Sequence, residues 1–178
     1  MKILKNELKS ELNIRTEKDF PIKGIEFIDI NPLVIQKEVF QEITQKFVNE
    51  IKDKQIDYIV APEARGFLFG TAVAEKLNVG FIPVRKKGKM PPSTVAKQIE
   101  YEKEYGKDVL ELPKLVNDAY ENNNFYFIDD IYATGNTAQA IKKAIEEMGG
   151  HLKGIGVVLN IAELNQDAIF SLMDINEE

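Results

Sequence analysis

A strand-like run that ends in two adjacent acids, followed by a glycine turn and a helix, constrains this chain more than any other feature. Residues 125–131 are apolar except for Asp129 and Asp130, and a helical pattern follows at about 135–148. An unpaired buried carboxylate is costly, so two acids in such a strand require a polar environment. Adjacent strand residues point to opposite faces, so we expect the pair to lie where the strand gives way to a loop. Open parallel sheets bind ligands at the carboxyl ends of their strands, and the segment therefore predicts a site there.

The rest of the chain alternates short apolar runs with amphipathic helical patterns. The predicted elements are strands at 57–61, 81–85 and 154–161 and helices at 38–52 and 66–77. This alternation predicts an α/β fold with a central, mostly parallel sheet flanked by helices. The chain has 178 residues and no internal repeat, so we expect residues 1–178 to form a single domain.

The segment at about 86–108 departs from this alternation. It is polar and contains two prolines, two glycines and charges of both signs. Loops of this length in compact domains are usually functional or disordered. We therefore expect a mobile excursion here.

The composition excludes several classes of site and partner. The sequence has no cysteine and a single histidine, which excludes disulfides, thiol nucleophiles and Cys/His zinc sites. The net charge of -6 provides no basic surface for nucleic acid, so an anionic ligand must be held by local groups. No apolar run approaches the ~18 residues that span a bilayer, and the charged start has no signal-peptide core. We expect a cytoplasmic protein that binds neither nucleic acid nor membranes.

The turn after the two acids predicts an anion site. A strand that runs through Ala133–Thr137 into a helix places backbone N–H groups at the helix N-terminus, where they can bind a phosphate. The hydroxyls of Thr134 and Thr137 are additional donors. Carboxylates beside such a site suit a ribose lying between them and the phosphate. From these residues alone, the alternative is a helix that follows a strand, with solvated acids.

The run FYFIDDIYATGNT closely resembles the phosphoribosyl-pyrophosphate signature of the type I phosphoribosyltransferases. The resemblance implies that fold, with a small N-terminal base-binding hood and a mobile loop. It also implies that Asp129 and Asp130 bind the ribose hydroxyls. The residues implied to bind the 5′-phosphate are Ala133, Thr134, Gly135, Asn136 and Thr137. Asn136 stands where the family usually has a second glycine; Asn tolerates left-handed backbone geometry, and its amide would lie near the phosphate.

From about residue 19 to 163 the chain resembles the adenine phosphoribosyltransferases. Four segments carry this likeness in order: DFPIKGIEFIDINPL, PEARGFLFG, PVRKKGKMP and EYEKEYGKDVLEL. The resemblance implies base contacts from Ile25, Glu26, Phe27 and Arg65. It implies contacts to phosphoribosyl pyrophosphate from Glu63, Ala64, Arg65, Arg85, Lys86, Lys89 and Tyr105, and a cis Glu63–Ala64 bond.

Each of these assignments has a simpler alternative. Phe27 can stack on a flat base but could equally be a core aromatic. Arg65 could form a surface ion pair, and the cluster of Arg85, Lys86 and Lys89 could be a solvated face rather than a site for a leaving pyrophosphate. Ile28 departs from the arginine that is common in the family, and Glu26, next to the expected base-contact position, is also unusual. Both residues leave the base preference open.

The implied reaction transfers a phosphoribosyl group from phosphoribosyl pyrophosphate to adenine, giving AMP and pyrophosphate. Glu104, in the mobile loop, is the candidate general acid/base, and Mg²⁺ is the implied cofactor, held mainly by substrate and water. A homodimer is expected by resemblance. Two other functions stay open: transfer to xanthine, hypoxanthine or guanine, and a non-catalytic module that senses phosphoribosyl pyrophosphate.

Overall fold

A computed structural model describes most of this chain. The described residues are 14–20, 22–24, 26–103, 106–116 and 120–175. Three residues with predicted roles, Ile25, Glu104 and Tyr105, lie outside them. The chain divides into two compact units, Met1–Gln45 and Lys46–Glu178, and its organisation as one domain stays a prediction.

The first unit contains a two-stranded antiparallel hairpin. Strand β1 (Arg15–Lys18) pairs with β2 (Glu26–Asp29). A short helix follows, α1 (Asn31–Ile35), and then the longer α2 (Lys37–Ile51) begins at the predicted position. The hairpin places Phe27 within the segment predicted to bind a base.

The second unit contains a seven-stranded sheet with the order β5-β6-β4-β3-β7-β8-β9. Its strands are β3 (Tyr58–Pro62), β4 (Gly80–Lys86), β5 (Val95–Lys103), β6 (Gly106–Pro113), β7 (Asn124–Tyr132), β8 (His151–Ile161) and β9 (Phe170–Ile175). Its helices are α3 (Arg65–Leu77) and α4 (Asn136–Glu147). The five strands from β4 to β9 in this order are parallel, and β5 and β6 are antiparallel. The predicted α/β fold with a mostly parallel sheet is confirmed.

The order of the strands places a crevice beside β3 and β7. These two strands are neighbours, but the chain moves outward from β3 to β4 on one side and from β7 to β8 on the other. Loops that leave adjacent strands in opposite directions open a crevice at the carboxyl ends, where open α/β sheets bind ligands. The two predicted binding segments, 62–66 and 133–137, contain the loops that follow β3 and β7.

The segment 86–108, expected to be a mobile excursion, has regular backbone structure over most of its length. Most of the segment forms the β5–β6 hairpin, and β6 continues the sheet by pairing with β4. On β5 alternate residues, Ile99 and Tyr101, are buried, and on β6 the consecutive residues Leu110, Glu111 and Leu112 are buried. The two-residue period of β5 lies among many charged residues, which hid it in the sequence. Whether the hairpin moves stays a prediction.

No helix within the described ranges is both long and apolar enough to cross a membrane.

Candidate active site

The two acids lie inside strand β7, near its carboxyl end. The strand continues to Tyr132, so the expectation that it gives way to a loop at the acids is wrong. Asp130 is 3% exposed, and its backbone N–H donates to Oδ1 of Asp129 at 2.8 Å. Burial, and then the adjacent Asp130 carboxylate, hold the pKa of Asp129 well above its usual range. The pair is therefore an electrostatically costly arrangement at the predicted site.

Arg65, the first residue of α3, neutralises part of this charge. Its Nε lies 2.9 Å from Oδ2 of Asp130, an ion pair in distance, although that oxygen accepts no hydrogen bond. Arg65 therefore pairs with a buried acid of the site and not, as in the simpler alternative, with an acid on the surface. Arg65 is still 43% exposed, so its guanidinium remains accessible from the crevice.

The start of α3 packs directly on the two acids. A Cβ at Gly66 would lie 2.9 Å from Oδ1 of Asp129 and 2.8 Å from Cδ of Pro62, closer than side-chain atoms pack. Glycine is required here because helix and strand approach so closely. The N-terminus of α3 therefore faces the carboxylates at short range.

The loop after β3 is held by one carboxylate. The predicted cis bond between Glu63 and Ala64 is confirmed. Oε2 of Glu63 accepts hydrogen bonds from Nε of Arg85 and from the backbone N–H of Lys86, both at 3.0 Å. These bonds, that of Arg85 first, lower the pKa of Glu63 below its usual value. The carboxylate ties the loop to the end of β4, which carries the predicted basic cluster.

The basic cluster is only partly assembled in the crevice. Lys86 lines it together with the loop after β3 and the two acids. Arg85 is engaged by Glu63, and Lys89 is exposed at the turn beyond β4. The residues that line this crevice are Pro62, Glu63, Ala64, Arg65, Lys86, Tyr101, Leu110, Asp129, Asp130, Ile131 and Thr137.

A second concave region adjoins the crevice and surrounds the glycine turn (Ala133–Thr137). It is lined by Phe127, Asp129, Ile131, Tyr132, Ala133, Thr134, Gly135, Asn136, Thr137 and Ala138. The two regions share Asp129, Ile131 and Thr137. The structure thus brings together the acids and the turn, as the sequence predicted.

The left-handed residue of the turn is Gly135, with φ of +80°. Asn136 is the first residue of α4 and has helical backbone geometry, so the turn does not require a left-handed conformation at this position. Its side-chain amide donates to the backbone oxygen of Glu102 at 3.1 Å, a partner that the sequence reading missed. Asn136 therefore connects the turn to strand β5 of the hairpin.

Helix α4 contacts β5 at both of its ends. Lys97 forms an ion pair with Glu147 at the C-terminus of the helix, while Glu102 meets Asn136 at the N-terminus. At about 3.3 Å per strand residue and about 1.5 Å per helix residue, both separations come to roughly 16 Å. The strand therefore runs along the whole helix between the two contacts.

We predict that Asn136→Ala loosens the hairpin at this end only. One hydrogen bond contributes about 1 kcal/mol, so amide hydrogen exchange in residues 99–103 should quicken about fivefold. Exchange at the Lys97 end should stay unchanged, as should exchange throughout a Glu146→Ala control on the exposed face of α4. Exchange that is equal in both variants would contradict a role for this bond.

The base-binding segment is described only in part. Phe27 is half-buried, and its ring meets that of Phe20 edge-on at 5.2 Å. Ile28 is 9% exposed, so the position that is commonly an arginine in the family holds a buried apolar side chain. Glu26 belongs to β2.

Sequence reasoning also missed the polar residues that follow β8. Asn165 and Asp167 contact the residues around the glycine turn, although the tail from 164 showed no functional pattern. The only signal was the run of Asn, Gln and Asp at 165–167, which is ordinary for a surface loop.

Comparison with known proteins places this site in a family. The phosphoribosyl transferase domain family matches residues 30–167, a range that includes every lining residue of both regions. The adenine phosphoribosyltransferase of Methanococcus maripaludis strain C7 is 43% identical over 152 residues, 85% of this chain and 86% of that protein. The Clostridium perfringens strain SM101 protein of the same name is 45% identical over 152 residues, with the same coverage.

Solved structures agree with these relatives. The crystal structure of adenine phosphoribosyltransferase from Thermoanaerobacter pseudethanolicus has a TM-score of 0.84 at 38% identity, covering 93% of this chain and 99% of that one. The structure from Saccharomyces cerevisiae has a TM-score of 0.82 at 34% identity, covering 97% and 100%. That protein is complexed with D-2,5-dideoxy-2,5-imino-altritol 1,6-bisphosphate and adenine.

Proposed function

This chain belongs to the adenine phosphoribosyltransferase family, and we propose that it transfers the 5-phosphoribosyl group of phosphoribosyl pyrophosphate to adenine. The products are AMP and pyrophosphate, and the reaction serves purine salvage. One observation carries the proposal: two adjacent acids, one of them 3% exposed, lie between a glycine turn and a cation at the carboxyl ends of β3 and β7.

In the proposed complex, Asp129 and Asp130 accept hydrogen bonds from the ribose hydroxyls. Their charge also lies near C1′, where positive charge develops as the bond to pyrophosphate breaks and a purine ring nitrogen attacks. Such fixed charges stabilise a transition state without reorganising during the reaction. The shared lining of the two regions supports this placement, since a ribose there would reach both the acids and the turn.

The 5′-phosphate binds at the glycine turn, where the first N–H groups of α4 are available to an anion. The leaving pyrophosphate lies against the loop after β3, with Glu63, Ala64 and Arg65, and beside Lys86 and Lys89. Arg85 contributes indirectly in this structure, because its guanidinium holds the Glu63 carboxylate. Tyr105, whose placement is not described, is proposed to pack over the closed site.

Magnesium is proposed as the cofactor. Within the described ranges no group of three or more His, Asp or Glu side chains is arranged to hold a metal ion. Such an ion would be held mainly by substrate and water, beside Asp129 and Asp130. When bound, the ion offsets the negative charge that grows on the leaving pyrophosphate.

The base-binding residues proposed from the resemblance are Ile25, Glu26, Phe27 and Arg65. A half-buried aromatic ring suits stacking on a purine. The side chain of Ile28 is buried and apolar, so it offers a base neither a charge nor a hydrogen bond.

Pyrophosphate release with magnesium, phosphoribosyl pyrophosphate and each of four purines tests the proposal. Adenine should be the preferred acceptor, with xanthine, hypoxanthine and guanine at least tenfold slower. Turnover with another purine but not adenine would reassign the base, and phosphoribosyl-pyrophosphate binding without turnover on any base would favour a sensing module.

We predict that Glu104→Gln lowers kcat with little effect on sugar-phosphate binding. Glu104 is proposed to exchange a proton with the purine as its ring nitrogen attacks, and general acid–base catalysis of this kind contributes about a hundredfold or more. Glutamine keeps the size and polarity but cannot take the proton. Steady-state kinetics should show the loss in kcat with the KM for phosphoribosyl pyrophosphate within about twofold. Glu102→Gln is the matched control, and an unaltered rate in Glu104→Gln would remove this residue from the mechanism.

A homodimer is proposed as the working assembly. Sedimentation equilibrium of the wild type at micromolar concentration should give twice the mass of the chain.

A further inference from the structure

The end of strand β7 and the loop after β8 are joined by a hydrogen bond between a buried tyrosine and an exposed aspartate. Tyr132 is the last residue of β7 and is 2% exposed. Its hydroxyl donates to Oδ2 of Asp167 at 2.6 Å, and Nε2 of Gln139 lies 3.4 Å from the same hydroxyl. Burial, with the Asp167 carboxylate beside it, raises the pKa of Tyr132 to about 12, so the hydroxyl stays a donor at neutral pH.

A second contact joins the same loop to the glycine turn. Nδ2 of Asn165 lies 2.8 Å from the backbone oxygen of Ala133, and it is also within hydrogen-bond distance of Oδ1 of Asn160 and the oxygen of Ile161. Asn165 thus connects the first residue of the turn to the end of β8. The loop therefore contacts two adjacent residues, Tyr132 at the end of β7 and Ala133 at the start of the turn.

The hydroxyl and the carboxylate lie directly beneath Gly135. A Cβ placed on Gly135 would lie 2.3 Å from the Tyr132 hydroxyl and 2.9 Å from Oδ2 of Asp167. The left-handed glycine therefore rests on this pair, with no space between them for a side chain. The shape of the turn depends on the position of these two groups.

We propose that Tyr132, Asn165 and Asp167 are positioning residues that hold the glycine turn in the shape that binds the 5′-phosphate of the substrate. The inference rests on the proposed function, because it assigns the turn to a phosphate monoester. An anion site built from backbone N–H groups requires those groups to point inward before the ligand arrives, and preorganisation of this kind determines affinity. None of the three residues needs to touch the phosphate.

The separate effects on two ligands distinguish a positioning role from a contribution to folding alone. A positioning residue should affect ligands that carry the 5′-phosphate and leave pyrophosphate unaffected, because pyrophosphate is proposed to bind at the loop after β3. A residue that only stabilises the fold should affect neither ligand, or both equally, in protein that remains folded.

Binding of ribose 5-phosphate and of pyrophosphate to the full chain, measured separately by calorimetry, tests the proposal. Tyr132→Phe and Asp167→Ala should each raise the Kd for ribose 5-phosphate about tenfold, the loss expected for one hydrogen bond to a charged group. The Kd for pyrophosphate should stay within about twofold. Asp167→Asn should recover most of the affinity, because its Oδ1 still accepts from the Tyr132 hydroxyl.

Tyr120→Phe is the matched control. Tyr120 is also a buried tyrosine, and its hydroxyl donates to the oxygen of Pro113, away from the glycine turn. The control should lose thermal stability to a similar degree as Tyr132→Phe but keep its affinity for ribose 5-phosphate.

The possible failures are distinguishable. Equal losses in Tyr120→Phe and Tyr132→Phe, or an unchanged ribose 5-phosphate affinity in Tyr132→Phe and Asp167→Ala, would overturn the positioning role alone. A wild-type protein that binds neither ligand would overturn the proposed function, and the positioning role with it.

Discussion

Replacing Asp129 with asparagine should stabilise the unliganded protein while nearly abolishing phosphoribosyl transfer. The carboxylate is held beside Asp130 in a buried environment, and these two causes raise its pKa well above the usual value. A group whose folded pKa is raised contributes stability at low pH and loses that contribution as pH rises through the folded pKa. At neutral pH the wild type therefore carries a destabilising group, which asparagine removes.

The substitution retains the local structure. The side-chain oxygen of asparagine can still accept the backbone N–H of Asp130, the 2.8 Å bond that fixes the side chain. What is lost is one negative charge next to the proposed ribose hydroxyls and the developing positive charge at C1′. Loss of one well-placed electrostatic group costs up to about a thousandfold in rate, and we expect a loss of that size in kcat/KM for phosphoribosyl pyrophosphate.

Thermal melting across pH measures the stability part of this prediction. The Tm of Asp129→Asn should exceed that of the wild type at pH 8, and the difference should shrink as pH falls, because the wild-type carboxyl then becomes protonated. Asp53→Asn, at an exposed position, should show no such trend. A Tm difference that is independent of pH, or a lower Tm at pH 8, would contradict the electrostatic account.

The diacid site could be predicted from sequence because its parts are contiguous. Strand, acids, glycine turn and helix follow one another within residues 124–147, so local patterns determine their geometry. The loop after β3 could be assigned to the site from its resemblance to the pyrophosphate loop of the family. The order of the strands, with β3 beside β7, explains why this loop lies next to the loop after β7. Fold class followed from the same alternation of strands and helices.

Contacts between segments distant in sequence could not be predicted. Asn136 bonds to a backbone oxygen 34 residues away, and Tyr132 to a carboxylate 35 residues away. Neither pair has a spacing or composition that distinguishes it from surface polar residues. The β5–β6 hairpin was missed because the alternation of buried and exposed residues on β5 occurs within a mixture of charges that is typical of loops.

Replacing Arg65 with methionine should destabilise the protein and inactivate it together. Methionine keeps much of the length of the side chain but removes the cation 2.9 Å from Asp130. That carboxyl would then lie buried beside Asp129 with its nearest positive charge gone. Breaking a fully buried pair costs about 3–5 kcal/mol, and the 43% exposure of Arg65 allows water to screen part of this, so we expect about 2 kcal/mol. Tm should fall by roughly 4–8 °C, and kcat/KM by more than a hundredfold.

The double variant Arg65→Met/Asp130→Asn separates the two losses. If the stability loss comes from an uncompensated carboxylate, removing that charge should restore most of the Tm, and the two changes should be strongly non-additive because the residues are in contact. Activity should not return, since the double variant lacks both the cation and one acid of the proposed ribose site. Additive losses of Tm would mean that Arg65 stabilises the protein through packing and not through Asp130. Recovered activity would contradict the assignment of both residues, because a site that works without either charge cannot depend on their pairing.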